Sequence, residues 1–545
     1  MMAEEEGNHL LSHSRVNYNS IDEEEYVSNS DSTVTADEDD PHSVVKNKLG
    51  NITLPMMATC LCLGSFLAAM DTSIVTTLFN EIGTEFKSSN LSVWIMTSYM
   101  LSTSAVQPLY GKLSDIFGRK NTLVAILCFF LLGSWLCGLS NSMVQMGIAR
   151  SIAGLGGGGL MTMASVVIHD LIPLRSRGKY QSYVNMAQTV GTTLGAPLGG
   201  MIHDTFGWRY CFYLNIPPCM FVLYCYVYKL ENYNLHDLKV DEKRWQKIDF
   251  IGASLMLLAN LSLVTGTSLG GNTHAWSDPL IVCLLLSSAV FFVLFGICEL
   301  NWVTNPLVPK KMLKNRNVIS VCLTNFFLCS STMAFNYLIP QFFMGVIGYN
   351  ASSAGVWVLP RTVMVAMGCW IAGRYLGMRG KYKYFVMSVM FIHVLTSLGL
   401  STWNTNTPIW FELLCLNIEG LCFGCVLVAT MVALVADINP LDTASATSMI
   451  FLCRSMGWLT GSTMTAAILQ TGFKSSLKQT LSGPEASQMI EFVRTSISKI
   501  RSLDPKVQLV VIASLQYAIS RAFLYGVACS ILCFISTIFM RNCQL

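Results

Sequence analysis

The chain has 545 residues, of which 52% are hydrophobic and only 12% charged, about half the charged share of a soluble globular domain. A water-facing surface cannot be built at that composition, so a soluble fold is excluded. The formal net charge of +3 conceals an acidic start and a basic body: twelve of the 32 acidic residues precede Val44 with only Arg15 against them, and the remainder holds 34 basic against 20 acidic groups.

Residues 1–50 are rich in Ser, Asn, Asp and Glu and cannot bury enough apolar surface to order themselves; they are expected to form a disordered acidic cytosolic tail. The opening "MMAEEEGNHLLSHS" lacks the basic start and apolar core of a secretory signal, so no cleaved leader is expected. Fourteen apolar stretches then follow, at about 55–79, 91–111, 122–140, 143–167, 181–203, 209–229, 250–270, 279–300, 318–343, 352–374, 384–402, 408–436, 446–470 and 520–540. Each is near the length of about 20 residues that carries a helix across a bilayer, which predicts an all-α polytopic membrane protein. Nearly all of the nineteen cysteines fall inside these stretches, without the clustering that a disulfide framework or zinc site needs. They read as small apolar packing residues, and no metal is expected.

Positive charge is retained on the cytosolic side of a membrane, so alternate short loops give the orientation. One set carries Lys112, Arg119 and Lys120, then Arg175, Arg177 and Lys179, then Lys239, Lys243, Arg244 and Lys247, then Lys310, Lys311, Lys314 and Arg316, then Arg374, Arg379, Lys381 and Lys383; the other offers only Lys87 and Arg209. Both termini are therefore expected in the cytosol, with 471–519 as a long loop on the far side. The sequons at Asn90 and Asn350 fall on that side, close to a membrane edge.

The loop after the second stretch reads "GKLSDIFGRKN", residues 111–121. It resembles the Gly-x-Leu-x-Asp-x-x-Gly-Arg-Lys signature of the major facilitator superfamily. The resemblance implies that Gly111 and Gly118 allow close approach and a tight turn while Asp115 and Arg119 form a charge network latching the cytosolic face. The residue after the Asp, often Arg in the family, is Ile116 here. In the fourth stretch, Arg150 precedes Gly154 and Gly156 to Gly159, which is similar to a family signature linked to proton transfer, with Ala153 where a glutamine is common. A charged side chain inside a span calls for a partner; snorkelling to the interface is the other reading of Arg150.

"GTTLGAPLGG", residues 191–200, resembles the antiporter signature of the fifth span. Gly195, Pro197, Gly199 and Gly200 would make a kinkable, closely packed helix, with Pro197 one residue beyond its usual place, which Ala196 holds. "GWRYCFYLNIP" (207–217) and "NPLVPKKMLKNRN" (305–317) are similar to the 14-helix drug:proton antiporter branch. What the resemblance implies is a major facilitator fold of 14 transmembrane helices: a six-helix bundle over 55–229, a linker over 230–300 with two extra helices, and a second six-helix bundle over 318–540 that includes the luminal loop 471–519.

Asp71 opens "DTSIV", similar to the Asp-x-Thr-Ile-Val of that branch. An acid at that depth can exchange a proton near neutral pH if burial and a nearby cation offset one another, and coupling requires such a group. Asp71 and Arg150 are the proton-coupling candidates. Glu412 and Glu419 lie seven residues apart, hence on one helical face about 10 Å apart, and could line one pathway for a cation, although Glu412 also fits an interfacial position. Asn336 and Tyr337 are further candidate substrate contacts, or ordinary interhelical hydrogen bonds. Asp249 starts a span and suits its helix dipole; His203 beside Asp204 suits packing or acid sensing; Arg361 and Arg454 need partners that sequence does not identify.

Glu6 ahead of Leu10 and Leu11 resembles the acidic dileucine signal read by cytosolic sorting adaptor complexes. With "LIPLRSRGKYQ" (171–181), the whole looks most like the fungal vacuolar basic amino acid transporters. The resulting expectation is a proton-coupled antiporter of lysine, arginine and histidine at the vacuolar membrane, driven by the proton gradient with no cofactor and no nucleic-acid partner. A plasma-membrane exporter of cationic drugs is the alternative, and a non-transporting receptor the alternative of another class. No nucleophile, metal-ligand or phosphate-binding constellation points to an enzyme.

Overall fold

The computed structural model describes residues 52–86, 93–172, 174–231, 249–270, 276–302, 310–349, 351–379, 381–436, 438, 442–480 and 505–541. The tail with Glu6, Leu10 and Leu11, and the sequons at Asn90 and Asn350, lie outside them. The described residues fall in one compact unit, Lys48–Leu545.

Helices account for nearly all of it. The first half contains α1 (Leu54–Glu85), α2 (Val93–Phe117), α3 (Arg119–Leu139), α4 (Met143–Leu171), α5 (Leu174–Phe206), α6 (Trp208–Tyr213) and α7 (Ile216–Tyr228). The pair α8 (Phe250–Leu269) and α9 (Pro279–Ile297) follows. The second half contains α10 (Lys310–Lys314), α11 (Arg316–Gln341), α12 (Ala351–Arg379), α13 (Tyr382–Ser401), α14 (Ile409–Val435), α15 (Thr443–Thr480) and α16 (Pro505–Ile538). Ten described helical stretches are long and apolar enough to cross a membrane. The remaining four expected spans fall on α2, α5, α8 and α15, which are more polar or shorter. In α9 only 11% of the apolar window is buried, and Leu286, Val290 and Val293 are more than half exposed. Only lipid solvates such a surface, so the chain is a multi-pass membrane protein.

Each half has its own core. One is built around Leu67, Ile126, Phe130, Val166 and Phe212 from α1, α3, α4 and α6. The other half is filled by clusters around Val321, Val386 and Val428 and around Phe335, Trp403 and Phe523. The α8–α9 pair is tied together by Ser288, which donates to the Ala259 carbonyl at 2.9 Å. It leans on both halves, with Val264 packed between Leu101 of α2 and Leu459 of α15. Asp249 caps α8 by accepting from the Gly252 N–H at 2.8 Å, the favourable use of an acid at a helix start.

Two boundaries differ from the sequence expectation. The stretch expected as the loop 471–519 is helical at both ends, since α15 continues to Thr480 and α16 begins at Pro505. Phe473, Leu477, Val511 and Leu515 are buried together; Lys474 and Lys478 on the other faces of α15 lower its mean hydropathy, whereas α16 is apolar from Val507 onward. The expected sixth span is broken into α6 and α7 ahead of Pro217 and Pro218, which sit at the first positions of α7. Proline is tolerated there because those N–H groups have no intrahelical partner.

Candidate functional site

Asp71 lies on α1 with its side chain 1% exposed. Its Oδ2 accepts from Arg150 Nη1 at 2.6 Å and its Oδ1 from Asn215 Nδ2 at 3.1 Å. Arg150, equally buried, also donates from Nε to the Ile95 carbonyl at 3.3 Å, and its guanidinium lies 4.4 Å from the centre of the Tyr99 ring, a favourable cation–π arrangement. Arg150 therefore turns inward instead of snorkelling. Asn215 reaches Asp71 from the break between α6 and α7.

Small residues set this geometry. A methyl group at Gly154 would stand 2.5 Å from the Tyr99 carbonyl oxygen, so only glycine lets α4 bring Arg150 against α2. On α5, a methyl at Gly195 would stand 2.6 Å from the Met70 carbonyl oxygen, and one at Gly199 would press on Ile74 and Thr77. Ser73 completes the seam by donating to the Thr192 carbonyl at 2.6 Å. Two of the four antiporter-helix candidates thus seat α5 on α1 around Asp71. Pro197 is exposed and Gly200 has open space beside it, in a helix that continues unbroken through the proline.

The predicted gate residues also assemble. Arg119, 2% exposed, donates from Nη1 to Asp115 at 2.7 Å and from Nε to Asp170 at 2.6 Å, with Ser114 as a third acceptor. Gly118 has φ 85° and ψ 158°, a backbone region open to glycine alone, and starts α3 in the turn that aims Arg119 inward. Gly111 faces Ala444 and Ser448 at the start of α15, and Gly373 of α12 faces Gly178 and Ser182 of α5. His169 Nδ1 and Thr447 Oγ1 are 3.3 Å apart. The two halves are closed against each other at this end. Ile116 packs with Leu109 beside Ala253 of α8 and Phe295 of α9, so the position where the family often has Arg here serves the linker helices.

At the opposite end of α1, Glu85 accepts from the Trp208 indole N–H and from Arg209 Nη1 at 2.8 Å. The indole hydrogen bond, with Arg209 adding to it against a smaller desolvation effect, holds the Glu85 carboxyl below its ordinary value.

The second half carries its own buried pair. Glu419 on α14 is 0% exposed and is gripped by Arg361 of α12, Nε to Oε2 at 2.6 Å and Nη2 to Oε1 at 3.1 Å. Thr332 of α11 donates to Oε1 at 3.3 Å, and His393 Nε2 of α13 stands 3.7 Å from the same oxygen. A cation approaching Glu419 must compete with Arg361. Glu412 is buried too, and its Oε1 has no hydrogen-bond partner among the described residues. Asn336 is exposed and Tyr337 half-buried on α11. Arg454 of α15 donates to Asn325 Oδ1 and to the Leu427 carbonyl, each at 2.8 Å.

Asn215, Asp170, Thr332 and His393 were not singled out from sequence. A proline pair just after Asn215 and an acid at the end of an apolar stretch, at Asp170, were the available signals for the first two. For Thr332 and His393, polar residues within apolar helices, nothing local distinguishes a charge-pair partner from a packing residue.

The family model of the Major Facilitator Superfamily matches residues 61–462. The Schizosaccharomyces pombe multidrug resistance protein fnx1 is 33% identical over 85% of this chain and 88% of its own length. The vacuolar membrane amino acid uptake transporter fnx2 of the same organism is 30% identical over 95% of this chain and 90% of its own. Among solved structures, the human organic anion transporter MFSD10 superposes with a TM-score of 0.56 at 14% identity, covering 88% of this chain and 98% of that one, a likeness of fold. With two buried charge pairs, a glycine-lined contact between its halves, a matching family model and relatives of this kind along its length, the chain belongs to the Major Facilitator Superfamily and is a transporter of that class.

Proposed function

We propose that this chain is a proton-coupled antiporter carrying basic amino acids (lysine, arginine and histidine) from the cytosol into the vacuole lumen. In this reading all fourteen expected spans cross the membrane, as two six-helix bundles and two linker helices with both termini cytosolic. The proton gradient supplies the energy without a cofactor. The carrying observation is the Asp71–Arg150–Asn215 cluster, wholly withdrawn from water. A proton on Asp71 cancels the attraction that holds Arg150, and Arg150 keeps the Ile95 carbonyl and the Tyr99 ring when it lets go. The pair therefore has two arrangements that proton occupancy can select between, as exchange of a proton for a cationic substrate requires. The name of the relative fnx2 supports an amino acid cargo and a vacuolar membrane. Glu6, Leu10 and Leu11 would direct the protein there through a sorting adaptor complex.

Uptake of labelled lysine into acidified vesicles tests this. Accumulation is expected to vanish when a protonophore collapses the gradient and in Asp71→Asn. Accumulation that survives either treatment removes the proposal. A second reading is export of cationic drugs at the cell surface; the name of the relative fnx1, a multidrug resistance protein, favours its drug cargo. Drug-sensitivity profiles and microscopy of Leu10→Ala/Leu11→Ala separate the two.

A further inference from the structure

Among the described residues, the arginines buried in the helices meet carboxylates, with one exception. Arg150 has Asp71 and Arg361 has Glu419, whereas Arg454, 5% exposed, has no carboxylate partner among the described residues. Its two hydrogen bonds go to neutral acceptors, Asn325 Oδ1 on α11 and the Leu427 carbonyl on α14. Neutral acceptors satisfy donors without cancelling the charge. Around it lie the cysteines Cys322, Cys329 and Cys369 and the Phe451 ring at 5.3 Å, none of which supplies a formal negative charge as a thiol or a ring. Withdrawing an arginine from water without a counter-ion costs several kcal/mol, and an anionic ligand would offset that cost.

The guanidinium geometry indicates what kind. The two bonds engage Nε and Nη2, which lie on one edge of the planar group and fix its orientation. Nη1 makes no hydrogen bond among the described residues, so the end of the fork formed by Nη1 and Nη2 is left for a ligand. A carboxylate accepts two parallel N–H bonds from that end. Asn325 is itself held by its Nδ2, which donates to the Val321 carbonyl at 2.8 Å, so Arg454 stands on a pre-arranged support. Glu412 does not complete this site: it is fifteen residues from Leu427 along α14, about 22 Å at the helical rise.

We propose that Arg454 binds the α-carboxylate of the transported substrate. This rests on the basic amino acid reading above and deepens it, because it separates an amino acid from an organic cation of the same charge. An amino acid brings the missing anion, while a cationic drug without a carboxylate would leave Arg454 uncompensated.

The test compares lysine with lysine methyl ester and with cadaverine, which is lysine lacking its carboxylate, as competitors for labelled lysine uptake by the full-length protein in proteoliposomes. Wild type is expected to bind both analogues about tenfold more weakly or worse, the equivalent of one charge-assisted hydrogen bond. Arg454→Gln should raise the half-saturation for lysine to that of cadaverine and leave cadaverine unchanged, with Arg454→Lys in between. Wild type that does not distinguish the three overturns the proposal, and this comparison needs no variant to fold. Equal weakening of lysine and cadaverine in Arg454→Gln, in protein that melts like wild type, also overturns it by assigning Arg454 a structural role. Wild type that transports none of them refutes the basic amino acid reading itself, and this proposal with it, a result distinct from lysine transport indifferent to the carboxylate.

Discussion

Arg361 and Arg150 each hold a carboxylate away from water, yet their surroundings give the two pairs different characters. Asp71 and Arg150 have other partners in Asn215, the Ile95 carbonyl and Tyr99, so either side of the pair can survive separation. Glu419 is held in two places by Arg361, with Thr332 as a further donor and His393 at 3.7 Å. Deleting Arg361 strands an acid that is fully buried. Breaking one member of such a pair costs about 3–5 kcal/mol, whereas replacing both by apolar side chains of similar volume is near neutral. Arg361→Ala should therefore melt well below wild type in detergent, and Arg361→Met/Glu419→Leu should recover most of that loss. If Glu419 also contacts substrate, the double variant will be stable and inactive. A stable Arg361→Ala protein would show that Glu419 has taken up a proton or a water and that the pair is dispensable.

Helices brought these residues together in ways that were partly legible beforehand. The charged positions 71, 150, 361, 419 and 454 were readable as groups inside apolar stretches, because lipid makes each of them costly. Which cation met which acid was not. Arg361 faces Glu419 because α12 and α14 touch at Gly420, where a methyl would lie 2.6 Å from the Arg361 carbonyl oxygen, and the glycines marked close packing without naming the partner helix. The end of α15, half buried and half polar around Lys474 and Lys478, resembles a loop on an average of hydropathy, whereas the start of α16 is apolar from Val507 and was legible in the sequence. At this scale the meeting of α1 with α6 gives a pH prediction. Glu85 lies beyond the membrane-spanning part of α1, and its carboxyl is held below 4.5 chiefly by the Trp208 indole, then by Arg209. A depressed folded value means that the latch contributes fully above the unfolded value and is lost only as pH falls through the folded one. The Trp208 environment should therefore be constant in tryptophan fluorescence from neutral pH to pH 5 and change below 4.5. Glu85→Gln should abolish the acid transition. An acid transition that persists in Glu85→Gln would show that this latch is not its cause.

Across the whole molecule, the state described is one in which the two halves meet at the end bearing Asp115 and Arg119. The closure has two seams. Gly111 of α2 lies against Ala444 and Ser448 of α15, and Gly178 and Ser182 of α5 lie against Gly373 of α12. His169 and Thr447 bridge α4 and α15 beside them. None of these contacts is an ion pair between the halves. The Arg119 contacts with Asp115, Asp170 and Ser114 all lie in the first half. These contacts brace α2, α3 and α4, and the two named seams are backbone and small side chains, which part without stranding a charge. A carrier that alternates access must open this surface in every cycle. A short bifunctional thiol cross-linker joining cysteines placed by His169→Cys and Thr447→Cys, with exposed native cysteines replaced, should hold it shut. Lysine uptake should then stop, while lysine binding from the opposite face persists and each single variant transports normally. The cross-linked protein should regain transport when a cleavable linker is cut. Uptake that continues at the wild-type rate with the linker intact would mean that substrate crosses without these seams separating, and alternating access through this end would have to be abandoned.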